Sequence, residues 1–193
     1  MSKNSEIITE KGEKLSCGYM YAAVLQTGQT HVMLERAMAD AWGLSPQPCV
    51  VREEGGKPRL RDFPEHHFNL SHSADHALCA LDDAPVGTDI QIIRRDLRQA
   101  LPARVCSDKE LDWLNEQGDY WAAFAQLWCL KEARVKFTGA GIGAGLRTTA
   151  VPLPEGGAGL YRMDDLWFRL YDLPGFACAV CGKKPPPEEM IRF

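Results

Sequence analysis

"LERAMADAWG" (34–43) and "LKEARVKFTG" (130–139) carry Leu, Ala and Gly at matching places, about 100 residues apart. In each, apolar residues recur at helical spacing and a glycine stands where a helix would end. A second echo accompanies the first. "HALCAL" (76–81) resembles "FACAVC" (176–181), each a short run of small apolar residues. The matched pairs predict an α+β fold of two similar tandem α/β subdomains packed as a pseudo-dimer, with a cleft between them. Such crevices commonly take ligands. Chance likeness between two apolar strands and two helices is the competing reading.

Around these anchors the remaining elements follow. Residues 19–25 read as a buried strand, 30–44 as a helix, and 85–93 as an alternating strand. In that last strand Val86, Thr88, Ile90 and Ile92 lie on one face and Gly87, Asp89 and Gln91 on the other. "FNLSHSADHALCALDD" (68–83) reads as a turn element followed by a strand. Ser107, three residues ahead of Glu110, is a capping signature that opens a helix over 107–117. Residues 119–139 form the longest helical pattern, and 166–173 with 175–182 a closing hairpin. The division expected is a flexible N-terminus (1–16), an N-terminal half (17–84), a C-terminal half (85–183) and a loose tail (184–193), forming one functional unit.

Composition narrows the class. The chain has 193 residues, 45% hydrophobic and 25% charged, with a formal charge of −4. That balance is ordinary for a globular protein and argues against general nucleic-acid binding. The sequence has no apolar run near the roughly 20 residues needed to span a bilayer, and the first residues contain no signal-peptide core. A cytoplasmic protein is expected. The seven cysteines fit a reducing compartment. Cys178 and Cys181 form a CxxC inside a strand pattern, with no second pair for a zinc site.

Polar groups of four segments suggest a site: Asp89 inside a strand, Glu132 and Lys136 one turn apart on a helix, Asn69, Ser71, His72 and Ser73 bunched together, and Lys57 in "GGKP". Taken singly, each has a bland explanation as turn chemistry or a solvated face. Jointly, two carboxylates from separate elements could hold a hard cation, with lysines and a histidine around a phosphorylated ligand. A Walker loop is absent, and "GAGIGAG" (139–145) follows a helix rather than opening one, so it reads as a helix stop and flexible loop.

"GKP" (56–58), "FNLSHS" (68–73), "VGTDIQ" (86–91) and "WCLKEARVKFTGAG" (128–141) together resemble the successive motifs of the 4′-phosphopantetheinyl transferases. Chain length and internal repeat are similar to the surfactin-synthetase-activating type, a single-chain pseudo-dimer, rather than the shorter trimeric holo-acyl-carrier-protein synthases. The resemblance implies transfer of 4′-phosphopantetheine from coenzyme A to a serine of an acyl or peptidyl carrier protein, releasing adenosine 3′,5′-bisphosphate. It implies Mg2+ held by Asp89 and Glu132, with Gln91 at a third ligand position that is often a carboxylate. Glu132 would also be the base on the carrier serine, and Lys136 would contact phosphate and protonate the leaving group. Lys57, Ser71 and His72 would contact coenzyme A, His72 at the ribose 3′-phosphate. The implied setting is fatty-acid, polyketide or nonribosomal-peptide biosynthesis, by a monomer that binds neither nucleic acid nor membrane. Residues 17–30 lack the family's usual basic residues, so phosphate contacts from elsewhere, or weaker coenzyme A binding, are expected. A catalytically impaired protein that only binds carrier or coenzyme A is the alternative.

Overall fold

The computed structural model describes residues 7–8, 14–15, 18–24, 30–52, 56–98, 100–141 and 145–192. Most of the expected flexible N-terminus, Cys17 and the centre of the glycine-rich loop lie outside them. Strands β1 (Ile7–Ile8) and β2 (Lys14–Leu15) pair antiparallel.

Each half contains a strand, a helix and then a hairpin. The first comprises β3 (Tyr19–Val24), α1 (Thr30–Trp42), the short pair β4 (Val50–Val51) and β5 (Arg59–Leu60), then β6 (His67–Ser73) and β7 (His76–Asp82). The second comprises β8 (Val86–Ile92), α2 (Leu101–Val105), α3 (Asp108–Asn115), α4 (Tyr120–Thr138), β9 (Gly159–Met163), β10 (Leu166–Leu173) and β11 (Phe176–Gly182), and β12 (Ile191–Arg192) follows. The sheets are ordered β12-β3-β7-β6 and β8-β11-β10-β9. Thus β3-β7-β6 and β8-β11-β10 have the same order, each with its helix inserted between the first strand and the hairpin. The internal echo in the sequence is a structural repeat.

Three apolar clusters hold this arrangement. Met33, Leu34, Ala37 and Met38 of α1 pack on Tyr21, Phe68, Cys79 and Leu81. Leu127, Leu130 and Ala133 of α4 pack on Phe168, Leu170, Ala179 and Cys181. Between the sheets, Met20, Leu78 and Ala80 meet Val86, Ile90, Cys178 and Val180. Full burial of each larger aliphatic at this seam stabilises by about 1.5–3 kcal/mol, so it is a core rather than a hinge. Cys178 and Cys181 therefore face opposite sides of β11 and cannot act as one redox or metal pair.

Local chemistry sets the ends of α4. Asp119 caps its start by accepting from the Ala122 N–H at 3.2 Å. Gly139 stops it in the left-handed region, φ 73°, where a side chain would be strained. The Ser107–Glu110 capping box opens α3 as the spacing predicts. Glu110 also accepts a 2.9 Å ion pair from Lys131, which is fully buried and donates to the carbonyls of Leu146 and Thr149. One charge of the α4 motif is thus structural.

Two expectations are corrected. "FNLSHS" is not a turn element but strand β6; the turn is Ala74–Asp75, with Ala74 at φ 53°. The C-terminal tail is not loose. Pro185 and Pro186 are buried, Arg169 and Tyr171 of β10 donate to the carbonyls of Pro186 and Pro187, and β12 pairs in parallel with β3. Pro186 and Pro187 line a small cavity with Met20 and Ala80 of one sheet and Val86 and Val180 of the other. Among the described residues no helix is long and apolar enough to cross a membrane.

The two-fold likeness identifies counterpart positions. Tyr21 lies opposite Cys79 in the first sheet as Asp89 lies opposite Ala179 in the second. Asp40 of α1 corresponds to Lys136 of α4 in the helix repeat. The Tyr21 hydroxyl donates to Asp40 Oδ2 at 2.9 Å, so a neutral phenol and an acid occupy the first of these places.

Candidate active site

Gly87 decides how closely α4 lies on β8. A Cβ built there would sit 2.1 Å from the Ala133 carbonyl oxygen and 2.4 Å from the Phe137 nitrogen. Only glycine lets the helix backbone come so near. Two residues on, and on the same face, Asp89 therefore meets the side chains one helical turn back.

Asp89 is 3% exposed and nearly surrounded by partners. Its Oδ1 accepts from Lys136 Nζ at 2.6 Å and from Ser71 Oγ at 2.8 Å, and its Oδ2 accepts from Gln91 Nε2 at 2.9 Å. Lys136 Nζ also donates to Ser71 Oγ at 2.8 Å. Ser71 belongs to β6 of the other half, so the site spans the seam.

Alternation along β6 explains how that half reaches across. Asn69, Ser71 and Ser73 point at the free edge of β8. Asn69 Oδ1 accepts from the Thr88 N–H at 2.8 Å, and Ser73 Oγ accepts from the Ile92 N–H at 3.0 Å. Side chains here substitute for a missing backbone ladder, which satisfies buried amides without merging the sheets. His72 falls on the opposite face, exposed, opposite Ala77. The structure thus gathers Asp89, Gln91, Lys136 and Ser71, and leaves His72 pointing away from them.

Glu132 is half-buried on α4, one turn before Lys136. Burial, and next the Asp89 charge, push its carboxyl above the usual range; Lys136 and the Trp128 indole pull it partly back. Two carboxyls so near that one raises the other form a site short of positive charge. Cys129, between them, is buried with its thiol at 3.0 Å from the Ala177 carbonyl and pushed far up by burial, so it is no nucleophile.

Lys57 lies against Gly139 at the end of α4 and donates to the Val86 carbonyl. Burial pushes its ammonium down to about 8. The arginines after β8 are engaged locally, Arg94 with Asp96 at 2.8 Å and Arg95 with Asp119. Gly87, Asn69, Ser73 and Trp128 are site-forming residues that the motif roles leave out. The Asn-x-Ser-x-Ser alternation was the available signal for two of them.

Among the described residues no cluster of three or more His, Cys, Asp or Glu side chains could hold a metal ion. The donor set suits a different kind of site. Mg2+ commonly takes one or two carboxylates and completes its shell with water and substrate phosphate. Asp89 and Glu132 match that pattern, with the Gln91 amide oxygen available after a half-turn of its amide.

Residues 85–181 match the family model described as the 4′-phosphopantetheinyl transferase superfamily. The chain is 36% identical over 170 residues to 4′-phosphopantetheinyl transferase psf-1 of Bacillus pumilus, covering 84% of this chain and 72% of the relative. It is 33% identical over 149 residues to 4′-phosphopantetheinyl transferase Sfp of Bacillus subtilis (strain 168), covering 72% and 65%. With 4′-phosphopantetheinyl transferase ffp of Bacillus subtilis it shares 32% identity over 198 residues, covering 96% and 87%.

Proposed function

This chain belongs to the 4′-phosphopantetheinyl transferase superfamily, and we propose that it transfers 4′-phosphopantetheine from coenzyme A to a serine of an acyl or peptidyl carrier protein. The meeting of Asp89 on β8 with Glu132 and Lys136 on α4, at the seam between the halves, carries this reading. A bound Mg2+, held by Asp89, Glu132 and Gln91, would neutralise the coenzyme A pyrophosphate.

The protein's own groups divide the remaining work. The carrier serine oxygen attacks the phosphorus that bears pantetheine. A new P–O bond forms, the bond to the second phosphate breaks, and adenosine 3′,5′-bisphosphate departs. Glu132, raised by burial, is suited to accept the serine proton. Lys136 can neutralise and protonate the departing phosphate oxygen, while Ser71 and Asp89 hold its ammonium in place. Positioning and electrostatics of this kind supply most of phosphoryl-transfer catalysis. Lys57 and His72 would contact coenzyme A at the periphery, which offsets the basic-poor residues 17–30. The enzyme would act as a cytoplasmic monomer whose two halves, meeting near residue 85, form one unit.

Intact-mass spectrometry of an apo carrier after incubation with coenzyme A and Mg2+ tests this. The carrier gains one phosphopantetheine, and chelation by EDTA stops the gain. Carriers that remain unmodified would refute it. Gln91 in place of a carboxylate motivates the rival binding-only reading, which requires calorimetric coenzyme A binding without release of the bisphosphate.

A further inference from the structure

Phe124, Trp128, Glu132 and Lys136 follow one another at intervals of about one turn, so they share a face of α4. The Trp128 ring packs edge-on against Phe124, centroids 5.5 Å apart at 63°, and Phe124 packs likewise against Trp121 at 6.0 Å. Apolar contacts therefore set the plane of the indole. Its Nε1 is nevertheless buried and makes no hydrogen bond of normal length and angle. An indole N–H can only donate, and native structures seldom bury a donor without an acceptor. Among the described residues one other buried side-chain atom shares this condition, His66 Nδ1, whose ring is stacked on Trp42. A neutral imidazole can leave that nitrogen bare of a proton; an indole has no such alternative.

The acceptor in reach along the helix is Glu132. Lys136, the cation beside it, is already engaged by Asp89 and Ser71. We propose that Trp128 is a positioning residue, its Nε1–H donating to one carboxylate oxygen of Glu132 so that the other is aimed into the site. In the free chain the N–H makes no bond of normal length and angle, and it closes onto Glu132 when ion and substrate draw that carboxylate into place. This inference rests on the transferase reading above. Groups that orient a ligating carboxylate matter almost as much as the ligand itself.

Two replacements separate the hydrogen from the ring. Trp128→Phe keeps an aromatic against Phe124 and removes the donor. Benzothienylalanine at position 128 keeps the ring outline and places sulfur where the N–H stood. Each is compared with the wild type for kcat with an apo carrier, KM for coenzyme A, Mn2+ affinity by calorimetry, and melting temperature. Both variants should lose about 10- to 100-fold in kcat and bind Mn2+ about tenfold more weakly. KM for coenzyme A should stay within about twofold, since no substrate contact is removed. The benzothienyl variant should melt as the wild type does. Wild-type kcat and Mn2+ affinity in that variant would overturn the proposal, and a deficit confined to Trp128→Phe would assign the effect to packing and overturn it equally. A wild-type enzyme that transfers nothing would instead overturn the transferase reading.

Discussion

Gly87→Ala is the sharpest perturbation the fold offers, because it adds one methyl group between β8 and α4. The new carbon would start 2.1 Å from the Ala133 oxygen and 2.4 Å from the Phe137 nitrogen, both backbone atoms that no rotamer change can move. Ordinary contact needs about 3.5 Å, so helix and strand must part by about 1 Å or more. Overpacking of this kind costs about 1–3 kcal/mol, and backbone neighbours put it at the upper end. For a chain of this size that lowers the melting temperature by roughly 6–12 °C. The same displacement stretches the 2.6 Å Lys136–Asp89 contact and withdraws Glu132 from Asp89. A misplacement of about 1 Å can cost about 100-fold in rate. Differential scanning fluorimetry and the carrier mass-shift assay, run beside Gly118→Ala, give both numbers. Nothing lies within 4 Å of a Cβ at Gly118, so that control should behave as wild type. If Gly87→Ala melts and transfers as the control does, the account of how β8 and α4 form the site is wrong.

Glu132→Gln keeps the shape of the side chain and removes its charge and basicity; transfer should fall at least about 100-fold while coenzyme A still binds by calorimetry. Lys57, pushed down to about 8, loses its charge as pH rises through that value. The coenzyme A kcat/KM should therefore decline above pH 8, and Lys57→Met should be lower and flat there. Because the folded value lies below the unfolded one, the unfolded chain binds more protons between about 8 and 10, and stability rises with pH across that window. Lys57→Met should abolish that slope in denaturant titrations. Lys131→Met strands the buried Glu110 carboxylate, which costs about 3–5 kcal/mol and should lower the melting temperature by roughly 10 °C.

What local rules could and could not read follows from where each interaction closes. The faces of β8 are legible because alternation is a property of the strand itself. The ends of α4 are legible because Asp119 and Gly139 act within one turn. β6 is not, since Asn69, Ser71 and Ser73 have turn chemistry locally and reveal a strand only through the edge of β8. The burial of Lys131 depends on Glu110 and two loop carbonyls from other elements, so on sequence alone it looks like one more surface charge. β9 and β12 are short and lie at sheet edges, where pairing rather than propensity makes the strand. The prolines of the tail punctuate locally, yet are held by β10.

Tyr21 and Asp40 make the repeat functionally lopsided. Where α4 presents an ammonium beside Asp89, the corresponding place on α1 presents an acid, which would repel a pyrophosphate, and β3 a phenol, which cannot anchor a divalent ion. Saturation should accordingly come at one equivalent of coenzyme A per polypeptide, with a simple hyperbolic isotherm and no communication between duplicate pockets.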